Sequence, residues 1–459
     1  MKTYASLALA LVVSLPAIAQ DKPVESEVPT SGTMPIDLAT ALKLGNARNF
    51  QIALAKERVN QAAAELKQKQ YLLIPTLTVG ASWHHSEGRL QESGGRIREV
   101  SRSSAFFGGG AGAVGAGPIM QPGLSVTANL ADIYFAPLAA KQNHSAMKAA
   151  SEAVNNQVSL QIASAYFDLV RARAGLGVAE EAVKNAAELS RVTGNFASSG
   201  EGLQSDSQRA KVEELIRQRG FEQARETLAV TVARLAQLLH LEAGVNLEPA
   251  DANAAPVKLT DASKPVAELV ASALENRPEI KLTGSIVRRA EQNLKNARYA
   301  PLVPNLSLGV SGGGMGGGVG GGIAQTDVRT DVNALVFWRW ESFGIGDKQR
   351  VRAQRSVVNQ AKHSQTGVMD AIIAQVRQSY AQVNSRQRQI AIAEKAVKSA
   401  RKSYELNRNR IYEKQGLPIE VLQAIQSLAA ARQLYVDTVT DYNQAQFRLL
   451  TAVGQPAGN

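Results

Sequence analysis

The chain is written twice. Residues 35 to about 240 and 265 to 453 can be laid over one another. Ile52, Val59, Ala62, Leu66 and Tyr71 return as Ile280, Val287, Ala290, Leu294 and Tyr299, at a constant offset of about 228. Farther on the offset is about 214: Tyr166 returns as Tyr380, Ala179-Glu180 as Ala393-Glu394, Gly202-Leu203 as Gly416-Leu417, Asp206 as Glu420 and Ala210 as Ala424. A fixed offset over tens of residues excludes insertions, so the copies share one structure. The period is far too long for a solenoid, which leaves two structural halves of one architecture. The copies are placed at 20–240 and 263–453, with a linker at 241–262 carrying Gly244, Pro249 and Pro256, and a tail at 454–459.

The termini set the compartment. Lys2, the apolar run Leu7 to Leu15 and the small residues Ala17-Ile18-Ala19 read as a secretory signal peptide over 1–19. No other stretch holds about 20 consecutive apolar residues, so no transmembrane helix is expected. There are no cysteines, hence neither a disulfide framework nor a lipidated N-terminal Cys. The net charge is +11, but its carriers, among them Arg171, Arg173, Arg386, Arg388, Arg401 and Arg408, are scattered along helices among Glu and Gln. That is the pattern of solvated helix surface, and no nucleic acid is expected as a partner.

Within each copy the hydrophobic period changes in the same order. Residues 20–34 are polar and read as irregular. Ile36 to about Leu73 is rich in Ala, Leu, Lys and Gln, and Pro75 stops the helix. Leu77, Val79, Ala81 and Trp83 then alternate with small or polar residues, the period of a two-faced strand. A Gly- and Ser-rich loop ending at Gly108 to Gly117 leads to a return strand through Leu124, Val126, Ala128 and Leu130. The second copy places a helix at 264–300, a strand through Leu306, Leu308 and Val310, a glycine turn at Gly312 to Gly322, and a return through Val328, Val332 and Val336. The strands are expected near 76–90, 119–132, 304–314 and 324–338. Four strands leave open edges, which points to a barrel assembled from several chains.

Two proline-free stretches, 138–196 and 347–414, would run roughly 90 and 100 Å as helices, against a mean of about a dozen residues in ordinary proteins. Ile162, Ala165, Leu169 and Ala172 follow 3-4 spacing, and Val376, Ser379, Val383 and Arg386 keep that register in the second copy. The seam alternates large and mostly small residues, which lets helices approach closely. Shorter helices return over about 203–239 and 418–451. Aromatics make up only 5% of the chain, yet Tyr71, Tyr134, Phe135, Tyr299, Phe337, Trp338 and Trp340 gather where helix meets strand. Tyr and Trp favour the boundary between hydrocarbon and water, so they read as the girdle of a membrane barrel. The alternative is a plug packed between sheet and helices.

These motifs resemble those of the TolC-type outer membrane efflux proteins. Ala273-Leu-Glu-Asn-Arg-Pro-Glu-Ile280 is similar to the signature that begins each repeat, and its counterpart Gly45 to Ile52 is degraded. Leu73-Ile-Pro-Thr-Leu-Thr-Val79 and Leu302-Val-Pro-Asn-Leu-Ser-Leu308 resemble the helix-to-strand step. Phe343-Gly-Ile-Gly-Asp347 resembles the family's Phe-Asp-Gly-Gly step, and Gly416 to Ala424 the turn between paired helices. The resemblance implies a mostly α fold with a membrane β-barrel. Three chains would form one twelve-stranded barrel, continued as a coiled-coil α-barrel across the periplasm. It implies a homotrimer in the bacterial outer membrane, in contact with its lipid. A periplasmic adaptor and, through it, an inner membrane transporter would be the partners of a tripartite efflux or type I secretion system. At the tips, Gly202 and Gly416 permit a sharp reversal and Leu203 and Leu417 offer an apolar contact, so the tips are expected to dock the adaptor; the alternative is a mere helix break with Leu folded back. Under the resemblance, the turns between the paired helices lie at the periplasmic end. Glu420, Gln423, Asp206 and Arg209 surround the periplasmic aperture, where Arg209 and Gln423 depart from a fully acidic ring.

No catalytic, cofactor-binding or metal-binding constellation is found. His84-His85 point to opposite faces of a strand, and His144, His240 and His363 stand alone. The glycine runs lack the Gly-Lys-Ser/Thr of a phosphate loop. Asp206 and Glu420 also suit the first turn of a helix, where the dipole favours acid. Two other readings stay open here. One is a periplasmic coiled-coil adaptor or structural envelope protein, which would lack the doubled strand pairs. The other is an exported hydrolase, which would need a nucleophile and base that are missing.

Overall fold

The computed structural model describes residues 32–455 apart from 78, 110–123, 243, 251–253, 260–263 and 414. The expected signal peptide and most of the glycine run ending at Gly117 lie outside the described residues. In chain order the first repeat runs β1 (Gly32–Ile36), α1 (Leu38–Arg48), α2 (Phe50–Gln70), β2 (Thr76–Leu77), β3 (Val79–Gln91), β4 (Ile97–Gly109), β5 (Leu124–Asn129), α3 (Leu130–Ser198) and α4 (Gln204–Leu238). After β6 (Val245–Pro249) the second follows as α5 (Val266–Asn276), α6 (Pro278–Tyr299), β7 (Asn305–Val319), β8 (Gln325–Phe337), a 3-10 turn (Glu341–Gly344), α7 (Ile345–Tyr412) and α8 (Pro418–Val453).

The expected helix from Ile36 to Leu73 is two helices, split at Asn49. Its Oδ1 accepts from the Gln51 N–H at 2.9 Å, and its Nδ2 donates to the Leu238 carbonyl at 3.3 Å. An Asn side chain that caps the next helix takes its own backbone out of the previous one. The expected helix at 264–300 breaks at the matching position, between Arg277 and Pro278. Here proline at the first helical position disfavours helical backbone at Arg277.

The sheet corrects three further expectations. The loop after Gln91 is only residues 92–96, because Ile97–Gly109 forms a strand antiparallel to β3. Most of the glycine run from Gly312 is strand rather than turn: β7 continues to Val319, pairing with β4 as far as Val319 and with β8 as far as Gly317, and only its end at Gly320 to Gly322 lies in the connection. The return strand ends at Asn129, and α3 begins at Leu130 rather than at 138, running through Pro137. The Asn129 side chain caps that start, accepting from Ala131 N–H at 2.8 Å.

β4 and β5 lie end to end along the same side of β7, and β2 and β3 follow one another along that line's other side. The sheet therefore has four strand lines, with β2-β3 and β8 at the two edges. A separate two-stranded parallel sheet joins β1 to β6, where the sequence reading had only irregular chain and linker.

The long helices carry the molecule. α3 has 69 residues and α7 has 68, each about 100 Å long. α4 folds back along α3, α8 along α7, and α3 also packs on α8. The seam is buried as expected: Ile162, Ala165, Leu169 and Ala172 in the first copy, Val376, Ser379 and Val383 in the second. Around the middle, α1, β1 and β6 close over α3 with Ile36, Leu42, Val245 and Leu247 in one core. α5 and α8 cover α7 in a second core.

Candidate functional site

The sheet has one apolar and one polar face. Register pairs Leu306 with Val336, Leu308 with Ala334 and Val310 with Val332, and on the other side Ala128, Val126 and Leu124. Leu77 lies opposite Leu124 and continues this face into Val79, Ala81 and Trp83. Leu77, Val79, Trp83, Val310, Val328 and Val332 are all exposed. The opposite face holds Ser125, Thr127, Ser307, Arg329 and Asp331, with Thr127 and Ser307 hydroxyls 2.9 Å apart and Arg329 paired to Asp331 at 2.9 Å. Apolar residues are turned outward over four strand lines while polar ones bond to each other. In water that arrangement is unfavourable; against hydrocarbon it is the favourable one.

At the junction with the helices, Tyr71, Tyr134, Tyr299, Trp338 and Trp340 are exposed. Phe135 stacks on Tyr299 with centroids 5.7 Å apart, and Arg339 lies over the Phe337 ring at 5.7 Å. Tyr134 also meets the Phe135 ring edge-on at 4.9 Å, so Tyr134 and Tyr299 both pack on Phe135 while the Tyr and Trp rings stay exposed.

At mid-height two arginines expected on solvated surface are instead held between helices. Arg171 of α3 donates to Thr440 Oγ1 at 2.9 Å and pairs with Asp437 at 3.5 Å and with Asp441 of α8. Arg386 of α7 donates to the Asp441 carbonyl at 2.7 Å.

At the far end the helices reverse. The Gly202 N–H donates to the Phe196 carbonyl at 2.9 Å, and the Gly416 N–H to the Arg410 carbonyl at 3.1 Å. Neither glycine has positive φ. Their lack of a side chain matters for another reason: a Cβ would lie 2.9 Å from Phe196 Cβ and 3.0 Å from Arg410 Cβ. Leu203 and Leu417 follow and are exposed at 69% and 60%, so neither is folded back onto its hairpin. The two hairpins are joined above the tips by Leu189, Val192, Tyr404, Ile411, Val421 and Ile425. Tyr412 donates to Glu188, whose carboxyl is held below its ordinary range by Arg191 first and Tyr412 second; the same bond pushes the Tyr412 hydroxyl up.

Asp206 and Glu420 both stand in first helical turns. Asp206 pairs with Arg209 at 3.5 Å, as the spacing leads one to expect. Glu420 pairs with Arg410 at 3.1 Å, a partner the sequence reading missed. Arg410 also donates to the Gln415 carbonyl at 3.3 Å, so it is fastened to the turn itself. Gln423 and Arg209 are exposed. Both carboxylates are therefore offset by one cation within the chain. Among the described residues no group of His, Cys, Asp or Glu could hold a metal, and no helix is long and apolar enough to cross a membrane.

Residues 269–455 match the model of the outer membrane efflux protein family. That match spans the second repeat. The fold is similar along most of the chain to solved outer membrane channels. The channel OprN superposes with a TM-score of 0.75 at 18% identity, covering 91% of this chain and 89% of that one. CmeC of Campylobacter jejuni gives 0.74 at 18% identity, covering 91% and 85%. The open state of MtrE of Neisseria gonorrhoeae gives 0.71 at 17% identity, covering 91% and 89%. Among curated proteins none matches the chain by sequence.

Proposed function

We propose that the chain is the outer membrane channel of a tripartite efflux or type I secretion system, a passive trimeric duct from periplasm to exterior. One observation carries this reading: a sheet with an outward apolar face and two open edges caps helices about 100 Å long. Lipid tolerates no unpaired strand edge, so the edges of β2-β3 and β8 must meet edges of other copies. Three copies give twelve strand lines, a barrel wide enough for a lumen lined by the polar face. An adaptor or structural coiled-coil protein has no use for such a sheet. The native protein is expected in the outer membrane fraction as an SDS-resistant trimer. A monodisperse monomer in mild detergent with full strand content would count against it.

The tips would then face the periplasm and receive the adaptor, through which an inner membrane transporter supplies energy. Around the three-fold axis Asp206 and Glu420 each form a ring, flanked by Arg209 and Gln423. A carboxylate ring in a narrow opening concentrates negative potential. Multivalent cations added on the periplasmic side should therefore reduce single-channel conductance in a planar bilayer. In Glu420→Ala the half-blocking concentration should rise on the order of tenfold. Because Arg410 offsets Glu420 no less than Arg209 offsets Asp206, Asp206→Ala should act comparably. Unchanged block and conductance in Glu420→Ala would make this carboxylate a helix-start residue only.

A further inference from the structure

The two sheet-to-helix junctions are not equivalent. In the first repeat β5 passes straight into α3 at Leu130, and the first basic residue along that helix is Lys141. In the second, the turn at Glu341–Gly344 intervenes before α7. Ser342 (φ 48°, ψ 50°), Phe343 (φ 57°, ψ 31°) and Gly344 (φ 87°) are left-handed in succession. That backbone is costly for Ser and Phe and persists only where the surroundings over-determine it. Here a clamp does so. The buried Asp347 carboxylate accepts the Glu341 N–H at 3.1 Å and Arg350 Nη2 at 2.7 Å, and Arg350 reaches back to Glu341 at 3.4 Å.

What the clamp holds up is Phe343, fully exposed, beside exposed Trp340 and Ile345. Below it Lys348, Arg352 and Arg355 are exposed, and none has an acidic partner among the described residues. By helical geometry these three and Ile345 fall within about 80° of arc on α7, and the cations span roughly 10 Å of rise. The order down one face is aromatic wedge, aliphatic residue, three cations. It continues the exposed Trp338 and Trp340 rim away from the sheet. Apolar then cationic over this distance matches acyl chain then phosphate at a bilayer surface.

We propose that the Phe343 turn and the Lys348-Arg352-Arg355 stripe form an anchoring site for anionic phospholipid of the inner, periplasmic leaflet, one site per chain and only at the second-repeat junction. The proposal rests on the outer membrane reading above. Phe343 seats among the upper acyl carbons, and the stripe binds phosphate and headgroup oxygens. A neighbouring copy covering Phe343 is the competing occupant.

The chain has no cysteine, so single cysteines can be labelled without background. The trimer is reconstituted in phosphatidylcholine vesicles with about 30% phosphatidylglycerol, with an environment-sensitive fluorophore on Phe343→Cys or, as a control, Val332→Cys. Shallow spin-labelled lipid should quench the label at 343 and aqueous iodide should not. If the label at 332 is not quenched by lipid, the membrane reading fails. If 332 is quenched but 343 is reached only by iodide, or by neither quencher, the turn faces solvent or another copy and the anchoring site is overturned. Independently, spin-labelled phosphatidylglycerol should associate with the trimer about fivefold more than phosphatidylcholine. The triple variant Lys348→Gln, Arg352→Gln, Arg355→Gln should lose that preference while remaining trimeric. No preference in the unsubstituted trimer, or an equal one in the variant, would also overturn it.

Discussion

Val332→Arg should destabilise the membrane-inserted trimer by about 2–4 kcal/mol, the cost of a guanidinium on the lipid side near mid-bilayer. Val332 lies opposite Val310 in the apolar face and is exposed at 75% within one chain. Ser125→Arg, on the polar face opposite Gly309, should change stability by less than about 1 kcal/mol, because a lumen-side charge keeps its water. Denaturant unfolding in lipid vesicles measures both. Equal losses would mean that the two faces meet the same medium, and the sheet would not be a membrane wall.

The double variant Leu203→Ser, Leu417→Ser should reduce export to the level of a strain lacking the channel, with trimer and sheet content unchanged. Each leucine is held out of its hairpin by the tight Gly202 and Gly416 reversals. Burying two such side chains against a partner contributes about 3–6 kcal/mol per chain, enough to decide whether a transient assembly forms. Crosslinking to the adaptor should fall in parallel. Normal export with both serines would place the docking surface elsewhere.

What could be read beforehand depended on side chains that display a period. Leu306 to Val310 and Val328 to Val336 alternate sharply, and both strands were placed. β4 escapes such a reading because Ile97–Gly109 carries Ser, Phe and Gly on both parities, so no face stands out. β7 was cut short at Gly312, since glycine has no side chain to show which way it points. The pairing of such stretches is decided by the neighbouring strands. The duplication located the helix breaks only in hindsight: Asn49 and Arg277 share one offset, but one break is made by a cap and the other by proline. At the tips, the glycines, leucines and acids stood in plain sequence. Arg410 did not, because its bond to Glu420 exists only once the turn has brought residues ten apart together. The Arg171 cluster was likewise invisible, as Asp437 and Asp441 arrive from a helix more than 260 positions later.

The cluster at Arg171 divides α3 unequally. Roughly 60 Å of helix lies between it and the sheet, and roughly 40 Å between it and the tip. Above, the helix is pinned by α2, α6 and the β1-β6 core; below, it runs beside α4 and α8. A bound helix pair of this kind is a beam with its fulcrum at mid-height. Tilting the lower arm by five degrees carries the tip sideways by about 3.5 Å, from arm length times angle. In the proposed trimer, three such displacements around one axis would change the opening more than a rotamer at Asp206 or Glu420. In the channel proposed above, the width at the tips would then be set some 40 Å away from Asp206 and Glu420.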